Sequence, residues 1–279
     1  MNRLLAPFAF LVALALAAPA LADPTPGELT AASAAEARGA EMFAYDQAAW
    51  HSTDRLQEDI QKGGLSIAKL RERGFAGFIV EPVSDGLLLA TYYGKKDGKT
   101  FAVARYWMAG SKVERGGLVK PGEDAVLSPL ALKLIERREQ AVAVAIADDV
   151  SICTDGPANT VVLPPRADGS IPVYFMSASV ENGTFPAGGH YLYVFDASGK
   201  LASKRPFTKS CVMVDWRNLP KQAAGASVSH ILDPQPSEIH VFVSLNMPGK
   251  LFVITTSNKD LWLIDHGHIA FKQVMQDLP

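Results

Sequence analysis

The sequence predicts an α+β fold, with a mostly antiparallel β-sheet, or two packed sheets, covered by an N-terminal helix and a central helix. Two observations carry this prediction. Runs rich in β-branched and aromatic residues alternate with short turn sequences, above all in residues 171–272. Two other segments, 31–62 and 128–147, place apolar residues at helical spacing. Strand runs and helices are therefore segregated along the chain, as in an α+β protein.

The first 22 residues have the pattern of a secretory signal peptide. Arg3 precedes an apolar run, and small residues follow up to Ala22, which is the arrangement that a signal peptidase cleaves. The apolar run is shorter than the ~20 residues that a transmembrane helix needs. We therefore expect cleavage after Ala22, a periplasmic or secreted location, and no stable membrane insertion once the signal is removed.

The rest of the chain is predicted to form one domain. Residues 23–30 contain two prolines and a glycine, so we expect a flexible lead-in there. Residues 31–279 are long enough for a single α+β domain, and a split into two lobes near residue 124 is the alternative.

The N-terminal helix is predicted over residues 31–62. Its apolar positions fit one helical face and are Met42, Ala49, Trp50, Leu56 and Ile60. Gly39 is expected to interrupt this helix, and Gly63 with Gly64 to end it.

Two carboxylates, Asp46 and Asp54, lie near that apolar face. They could be functional groups held by the helix. The alternative is that they cap, form ion pairs or border the core. The sequence favours this second interpretation.

The central helix and the first strands have clear boundaries. Ser128 followed by Pro129 combines an N-cap side chain with proline at the first helical position, and the helix is expected to end near residues 147–148. Upstream, strand-like runs at 78–80, 87–93 and 100–106 are separated by turn sequences. They predict a small antiparallel meander, followed by a short strand within 111–122.

The second half of the chain is predicted to consist of strands. The strand-like runs are residues 159–165, 173–180, 190–195, 200–207, 238–245, 251–255, 261–264 and 269–271. Both faces of 190–195 are apolar, which predicts a central strand covered on each side. Residues 238–245 alternate between apolar and mixed positions, as expected of a half-buried strand.

Composition excludes one class of partner. The formal net charge is −2, and no basic cluster is present that would form a local patch, so we expect no nucleic-acid binding.

The two cysteines, Cys153 and Cys211, form an even pair in a chain predicted to be exported. They are predicted to form a disulfide, with a catalytic thiol as the alternative.

The histidines supply the candidate catalytic residues. If 238–245 is a strand, Glu238 and His240 point to the same face, and His190 and His230 could join them from neighbouring strands. Such a set could act as an acid/base pair or bind a metal, although zinc sites need three or four ligands. The alternative is that these histidines are hydrogen-bonded within a sheet, so the sequence predicts no metal and no cofactor.

Two further groups of residues could be functional, and each also has a structural interpretation. Ser229, His230 and Asp233 have the residue types of a hydrolase triad, but a triad is recognised by its geometry in space. The aromatic residues around the predicted hairpin, with Tyr174, Tyr191 and Tyr193 as candidate binding residues, could form a binding surface if one side of the sheet is uncovered. Otherwise they belong to the core.

Several segments carry a resemblance to known proteins. They are residues 159–164, 188–191, 196–200, Cys211 and 230–242. In these segments the chain resembles a family of exported proteins of Gram-negative bacteria for which no activity is known. The resemblance implies a periplasmic setting and assigns no role to any residue.

These observations predict an exported periplasmic protein that binds a small ligand or an envelope protein through the second half of the chain. The alternative is a periplasmic hydrolase, possibly metal-dependent, that uses the Glu238 and His240 region. The sequence does not decide whether the protein is an enzyme.

Overall fold

The computed structural model describes residues 23–120 and 125–274. The predicted signal peptide and the predicted lobe boundary near residue 124 lie outside these ranges. The described residues form an α+β fold with four α-helices and fourteen β-strands. The helices are α1 (Pro26–Lys62), α2 (Ile67–Glu72), α3 (Pro129–Ala147) and α4 (Glu238–Asn246).

The first sheet is the predicted antiparallel meander. Its strands pair in sequence order and are β1 (Phe75–Pro82), β2 (Leu88–Lys96), β3 (Lys99–Ala109) and β4 (Lys112–Leu118). Asp97 and Gly98 both have positive φ, at 51° and 74°, which is the geometry of a tight type I′ hairpin turn between β2 and β3.

The second sheet is also antiparallel, in the order β5-β6-β8-β9. Its strands are β5 (Asn159–Val162), β6 (Ile171–Met176), β8 (Tyr191–Phe195) and β9 (Leu201–Pro206). The predicted central strand at 190–195 is confirmed, because β8 lies between β6 and β9. Two short strands, β7 (Thr184–Pro186) and β10 (Met213–Asp215), pair with each other.

The last sheet has the order β11-β12-β13-β14. Its strands are β11 (Ala226–His230), β12 (Leu251–Thr255), β13 (Asp260–Asp265) and β14 (His268–Val274). β12, β13 and β14 form the predicted meander, whereas β11 pairs with β12 in parallel. A parallel pair needs a long crossover connection, and α4 lies within it.

The strand predicted at 238–245 is therefore wrong, because these residues form the helix α4. Ser237 is the N-cap, and its backbone N–H donates to Nδ1 of His240 at 3.0 Å. The segment is rich in β-branched residues, but Ile239 and Val243 are buried when it is helical. Tertiary burial thus outweighs the local strand preference.

α1 also begins and continues differently from the prediction. Its first residue is Pro26, and Thr25 and Glu28 form a capping box in which the Glu28 carboxylate accepts from the Thr25 N–H at 2.6 Å. The expectation of a flexible segment over 23–30 is thus wrong from Pro26 onward. The predicted interruption at Gly39 is wrong as well, because the helix runs through it, whereas Gly63 ends the helix as predicted.

Two buried cores hold the elements together. One contains residues of α1, α4 and all three four-stranded sheets, and includes Met42, Tyr92, Tyr174 and Trp262. The other lies under α3, between the opposite faces of the first two sheets, and includes Leu134. The prediction that an N-terminal and a central helix cover the sheets is therefore confirmed.

Cys153 and Cys211 are joined in the predicted disulfide. Within residues 23–120 and 125–274, no helix combines the length and the apolar character that crossing a bilayer requires.

Candidate functional site

A cleft of about 590 Å³ opens between α1, α4 and the segment 176–186, and we call it the α1–α4 cleft. Its volume lies in the range of typical small-molecule sites. Its lining residues are Asp46, Ala49, Trp50, Thr53, Phe78, Asn159, Met176, Ser177, Ala178, Ser179, Val180, Glu181, Asn182, Gly183, Phe185, Pro186, Phe242, Val243 and Asn246. The cleft thus draws on both halves of the chain.

One face of α1 forms a wall of the cleft. Asp46, Ala49, Trp50 and Thr53 line it, and their spacing of three, four and seven residues places them on one side of a helix. Trp50 was assigned from the sequence to the apolar core face of this helix. Instead, 55% of it is exposed, and it stacks on His51 at 5.0 Å between ring centroids.

A hydrogen-bonded cluster fixes α1 on the first sheet behind this wall. The hydroxyl of Tyr92 on β2 lies 2.9 Å from Ser52 Oγ and 2.7 Å from Thr53 Oγ1. It also donates to the carbonyl oxygen of Ala49 at 3.2 Å. Tyr92 and Ser52 are fully buried. Their hydrogen bonds therefore hold the part of α1 that faces the cleft against the first sheet.

The opposite wall follows β6 and is built from a short segment with its own hydrogen bonds. Ser177 Oγ accepts from the backbone N–H of Cys153 at 2.8 Å and donates to the Gly189 carbonyl at 3.0 Å. Ser179 Oγ donates to the Thr184 carbonyl at 2.7 Å. The disulfide thus lies directly behind the segment that forms this wall.

α4 supplies the third wall because it is a helix. Phe242, Val243 and Asn246 line the cleft, which is the three-to-four-residue spacing of one helical face. A strand would send Phe242 and Val243 to opposite sides. The helix crosses α1 at Gly39, where a Cβ atom would lie 2.5 Å from Val241 Cβ, so the glycine allows the two helices to approach closely.

Asp46 is the carboxylate inside the cleft. It is partly exposed, and its Oδ1 accepts a hydrogen bond from Asn159 Nδ2 at 2.7 Å. Burial raises the pKa of Asp46 to about 6, although the Asn159 hydrogen bond acts in the opposite direction. A titratable group with a shifted pKa in a cleft is a candidate functional residue.

The predicted candidates Glu238 and His240 do not act together. Two residues apart on a helix point to different sides, and their contacts differ accordingly. Glu238 forms an ion pair with Arg38 at 3.3 Å and accepts from the Tyr174 hydroxyl at 3.1 Å. His240 instead accepts from the Ser237 backbone, so the shared face predicted for the pair is wrong.

The three candidate histidines, His190, His230 and His240, do lie close together. The rings of His230 and His240 are 4.7 Å apart and perpendicular. His190 lies near enough that its charge would lower the pKa of His240. We call these residues the histidine cluster, and each is at most 3% exposed.

Burial lowers the pKa of His190 to about 4 and that of His240 to about 3. His230 Nε2 contacts Asp233 at 2.9 Å, and Asp233 also pairs with Arg205. The histidine cluster is therefore a closed group within the core. Ser229 is exposed while His230 is buried, so the adjacent residues of the hypothetical triad point to opposite sides of β11.

The three candidate tyrosines do not line the cleft. Tyr174 and Tyr193 are buried, and Tyr191 is half-buried with its hydroxyl donating to the Ser151 carbonyl at 2.9 Å. Tyr174 stacks on Phe207. These side chains therefore pack in or against the core instead of forming an uncovered binding surface.

Among residues 23–120 and 125–274, no group of three or more His, Cys, Asp or Glu side chains is arranged to hold a metal ion. Comparison of the chain with family models, with curated proteins and with solved structures finds no match in any of the three.

Sequence reasoning named Asp46 as a possible functional carboxylate but favoured a structural role for it, and it did not find the cleft. The signal was present on α1, where Asp46, Ala49, Trp50 and Thr53 recur at helical spacing and mix a carboxylate with an aromatic residue. The remaining lining residues come from segments up to 200 positions away, such as Asn246. Only the tertiary fold brings these segments to α1.

Proposed function

We propose that this protein is exported and binds a small organic ligand in the α1–α4 cleft. The observation that carries the proposal is a partly buried carboxylate, Asp46, in a cleft of ligand size that is also lined by aromatic side chains. Small-molecule sites usually combine apolar and aromatic walls with polar groups that fix the orientation of the ligand.

Exposed apolar side chains at the cleft support binding. Trp50 is 55% exposed and Val180 54% exposed, and both line the cleft. Phe78, Phe185 and Phe242 are partly buried beside them. Exposed apolar surface concentrated at a concave site is typical of a binding surface, and a ligand would remove it from water.

The residues of the alternative hydrolase lie away from the cleft. Glu238 is held by Arg38 and Tyr174, and His190, His230 and His240 are buried in the core. None of these side chains lines the α1–α4 cleft as it is formed by the described residues.

Periplasmic location is part of the proposal. It is supported by the signal-like sequence of residues 1–22, by the resemblance to exported proteins, and by the Cys153–Cys211 disulfide, since disulfides persist in oxidising compartments. Expression of the full chain in a Gram-negative host, followed by fractionation, tests it. The expected product is periplasmic, starts at Asp23 and contains no free thiol, whereas uncleaved protein in the cytoplasm would contradict export.

A thermal-shift screen of a small-molecule library tests binding, with the wild-type protein compared with a cleft-filling variant, Ala178→Trp. Ala197→Trp is the matched control, because Ala197 is exposed in the turn between β8 and β9. We expect compounds that raise the Tm of the wild type and of the control but not of Ala178→Trp. If no compound distinguishes the cleft-filling variant from the control, the cleft is not a ligand site.

A further inference from the structure

The charged side chains that line the α1–α4 cleft are all acidic. Its lining contains two carboxylates, Asp46 and Glu181, and among the described lining residues none is Lys, Arg or His. Glu181 is exposed at the rim and pairs with Arg217 at 2.9 Å. None of the ion pairs found among the described residues involves Asp46, whose hydrogen bond comes from a neutral amide.

We propose that the ligand of this cleft is an organic cation, namely an amine whose ammonium group pairs with Asp46 while its apolar body lies against the aromatic walls. This inference rests on the proposed function and narrows its ligand class. The observation behind it is the Asp46 carboxylate, which lies in a cleft lined by aromatic side chains and has no ion-pair partner within residues 23–120 and 125–274.

Desolvation of the Asp46 carboxylate favours a cationic ligand. A carboxylate that is partly removed from water loses part of its favourable hydration energy. An opposite charge at hydrogen-bond distance compensates for that loss. An ammonium group supplies both the charge and several N–H donors. A ligand carboxylate would instead meet Asp46 and Glu181, with like-charge repulsion and no basic side chain in the lining to offset it.

The walls fit the rest of such a ligand. Trp50 lines the cleft together with Phe78, Phe185 and Phe242. Aromatic faces attract cations within about 6 Å of the ring centroid and also bury apolar groups. The same walls therefore suit both parts of an amphipathic amine.

Charged groups around the cleft define the expected pH dependence. Glu41 lies on the same helix as Asp46, Glu181 and Arg217 lie at the rim, and Arg138 of α3 lies 5.9 Å from the Phe78 ring. Burial raises the pKa of Asp46 to about 6. Amine binding requires the ionised carboxylate, so affinity should fall as the pH decreases from 7.5 to 5.

Three probes with the same aromatic body test the ligand class: phenethylamine, phenethyl alcohol and phenylacetate. Binding to the full mature protein is measured by isothermal titration calorimetry at millimolar probe concentration. We expect phenethylamine to bind more tightly than the alcohol, and phenylacetate to bind least.

Two cleft variants and one control variant connect the preference for the amine to the cleft. Asp46→Asn should weaken phenethylamine binding about ten- to hundredfold, the usual cost of losing a charged hydrogen-bond partner, and should remove the pH dependence. Asp54→Asn, at an exposed position on the same helix, should leave both unchanged. Trp50→Ala, also at an exposed position, should weaken amine binding without affecting the fold, as checked by circular dichroism.

Three results would overturn the inference. Equal binding of the amine and the alcohol, abolished by Ala178→Trp, would retain a ligand cleft but reject a cationic ligand. Failure of phenethylamine to bind, while library compounds still distinguish Ala178→Trp from Ala197→Trp, would likewise reject the cation and keep the proposed function. Failure of both experiments would reject both.

Discussion

At the scale of single residues, burial gives several side chains a pKa in the folded protein that differs from their pKa in the unfolded chain. Asp46 has a raised pKa of about 6 in the fold, while His190 and His240 have lowered pKa values of about 4 and 3. These shifts act on stability in opposite directions with pH. Single variants therefore reveal them better than the pH profile of the wild-type protein does.

Replacing Asp46 should stabilise the protein at neutral and basic pH. The folded protein retains the Asp46 proton up to about pH 6, whereas an unfolded Asp loses it near its ordinary pKa of 3.8. The unfolded state then binds fewer protons in this window, so the wild type loses stability as the pH rises through it. Asp46→Asn should raise the free energy of unfolding at pH 8 by about 1–2 kcal/mol, because partial exposure screens the effect.

Denaturant unfolding at pH 8 and pH 4 measures this difference. Asn can still accept the Asn159 hydrogen bond through its amide oxygen, so the two proteins should be equally stable at pH 4. Asp54→Asn is the control on the same helix. An Asp46→Asn variant that is less stable than the wild type at pH 8 would show that the Asp46 charge is compensated in the fold.

Acid should destabilise the wild type through the histidine cluster. His190 is 1% exposed, its Nε2 contacts the Pro186 carbonyl at 3.0 Å, and its Nδ1 has no hydrogen-bond partner in the part of the chain that the structure describes. An unfolded histidine takes up a proton near pH 6.5 and the folded one only near pH 4. The unfolded state therefore binds more protons in this window, and stability is lost as the pH falls.

His190→Gln should reduce the pH dependence of stability between pH 6.5 and 4. The contribution that is lost at pH 4 is on the order of 3 kcal/mol, because burial lowers the pKa of His190 from 6.5 to about 4. The measurement is the slope of the unfolding free energy against pH, and His266→Gln, at an exposed turn position, is the control. An unchanged slope in His190→Gln would mean that His190 is protonated in the fold at higher pH.

At the scale of elements, the crossing of α1 and α4 decides the shape of the cleft. A Cβ atom at Gly39 would lie 2.5 Å from Val241 Cβ and 2.8 Å from the Glu238 carbonyl oxygen. Because one of these atoms belongs to the backbone, side-chain rotation alone cannot relieve the overlap. The helix pair must separate to accept any larger residue.

Gly39→Ala should therefore destabilise the protein by about 1–3 kcal/mol, the usual cost of overpacking. This outcome is opposite to the gain of about 1 kcal/mol expected from helix propensity alone. Gly27→Ala is the matched control on the same helix, since the nearest atom to its Cβ would be 3.8 Å away. Thermal unfolding should show a lower Tm for Gly39→Ala only, and a higher Tm would contradict the close crossing.

At the scale of the whole molecule, the Cys153–Cys211 disulfide connects the end of α3 to the segments behind the cleft. It closes a loop of 58 residues, which in the chain-entropy model stabilises the fold by about 4 kcal/mol. The Cys153 N–H also holds Ser177 in the cleft wall. Global stability and the geometry of the cleft are thereby linked.

A double variant, Cys153→Ala with Cys211→Ala, should be about 4 kcal/mol less stable than the wild type and should bind cleft ligands more weakly. Chemical denaturation and calorimetry measure the two effects. Reductant should lower the Tm of the wild type but leave the double variant unchanged. Full stability of the double variant would show that the loop is already restricted in the unfolded chain.

The sequence by itself determined the α+β class, the bounds of α3, the first meander, the central position of β8 and the disulfide. Each depends on local information, such as the Ser128 cap, the Asp97-Gly98 turn or the parity of the cysteines, so no distant contact was needed to find it.

Only the tertiary structure decided the state of residues 238–246 and the composition of the site. The Val- and Ile-rich segment favours a strand locally, but as a helix it buries Ile239 and Val243, crosses α1 at Gly39 and provides the crossover between the parallel strands β11 and β12. The helical conformation of this segment directs Glu238 and His240 to different sides. It also places Phe242 and Asn246 in the wall of the cleft that contains Asp46. The side chains of the cleft come from positions distant in sequence, and their proximity is a consequence of packing.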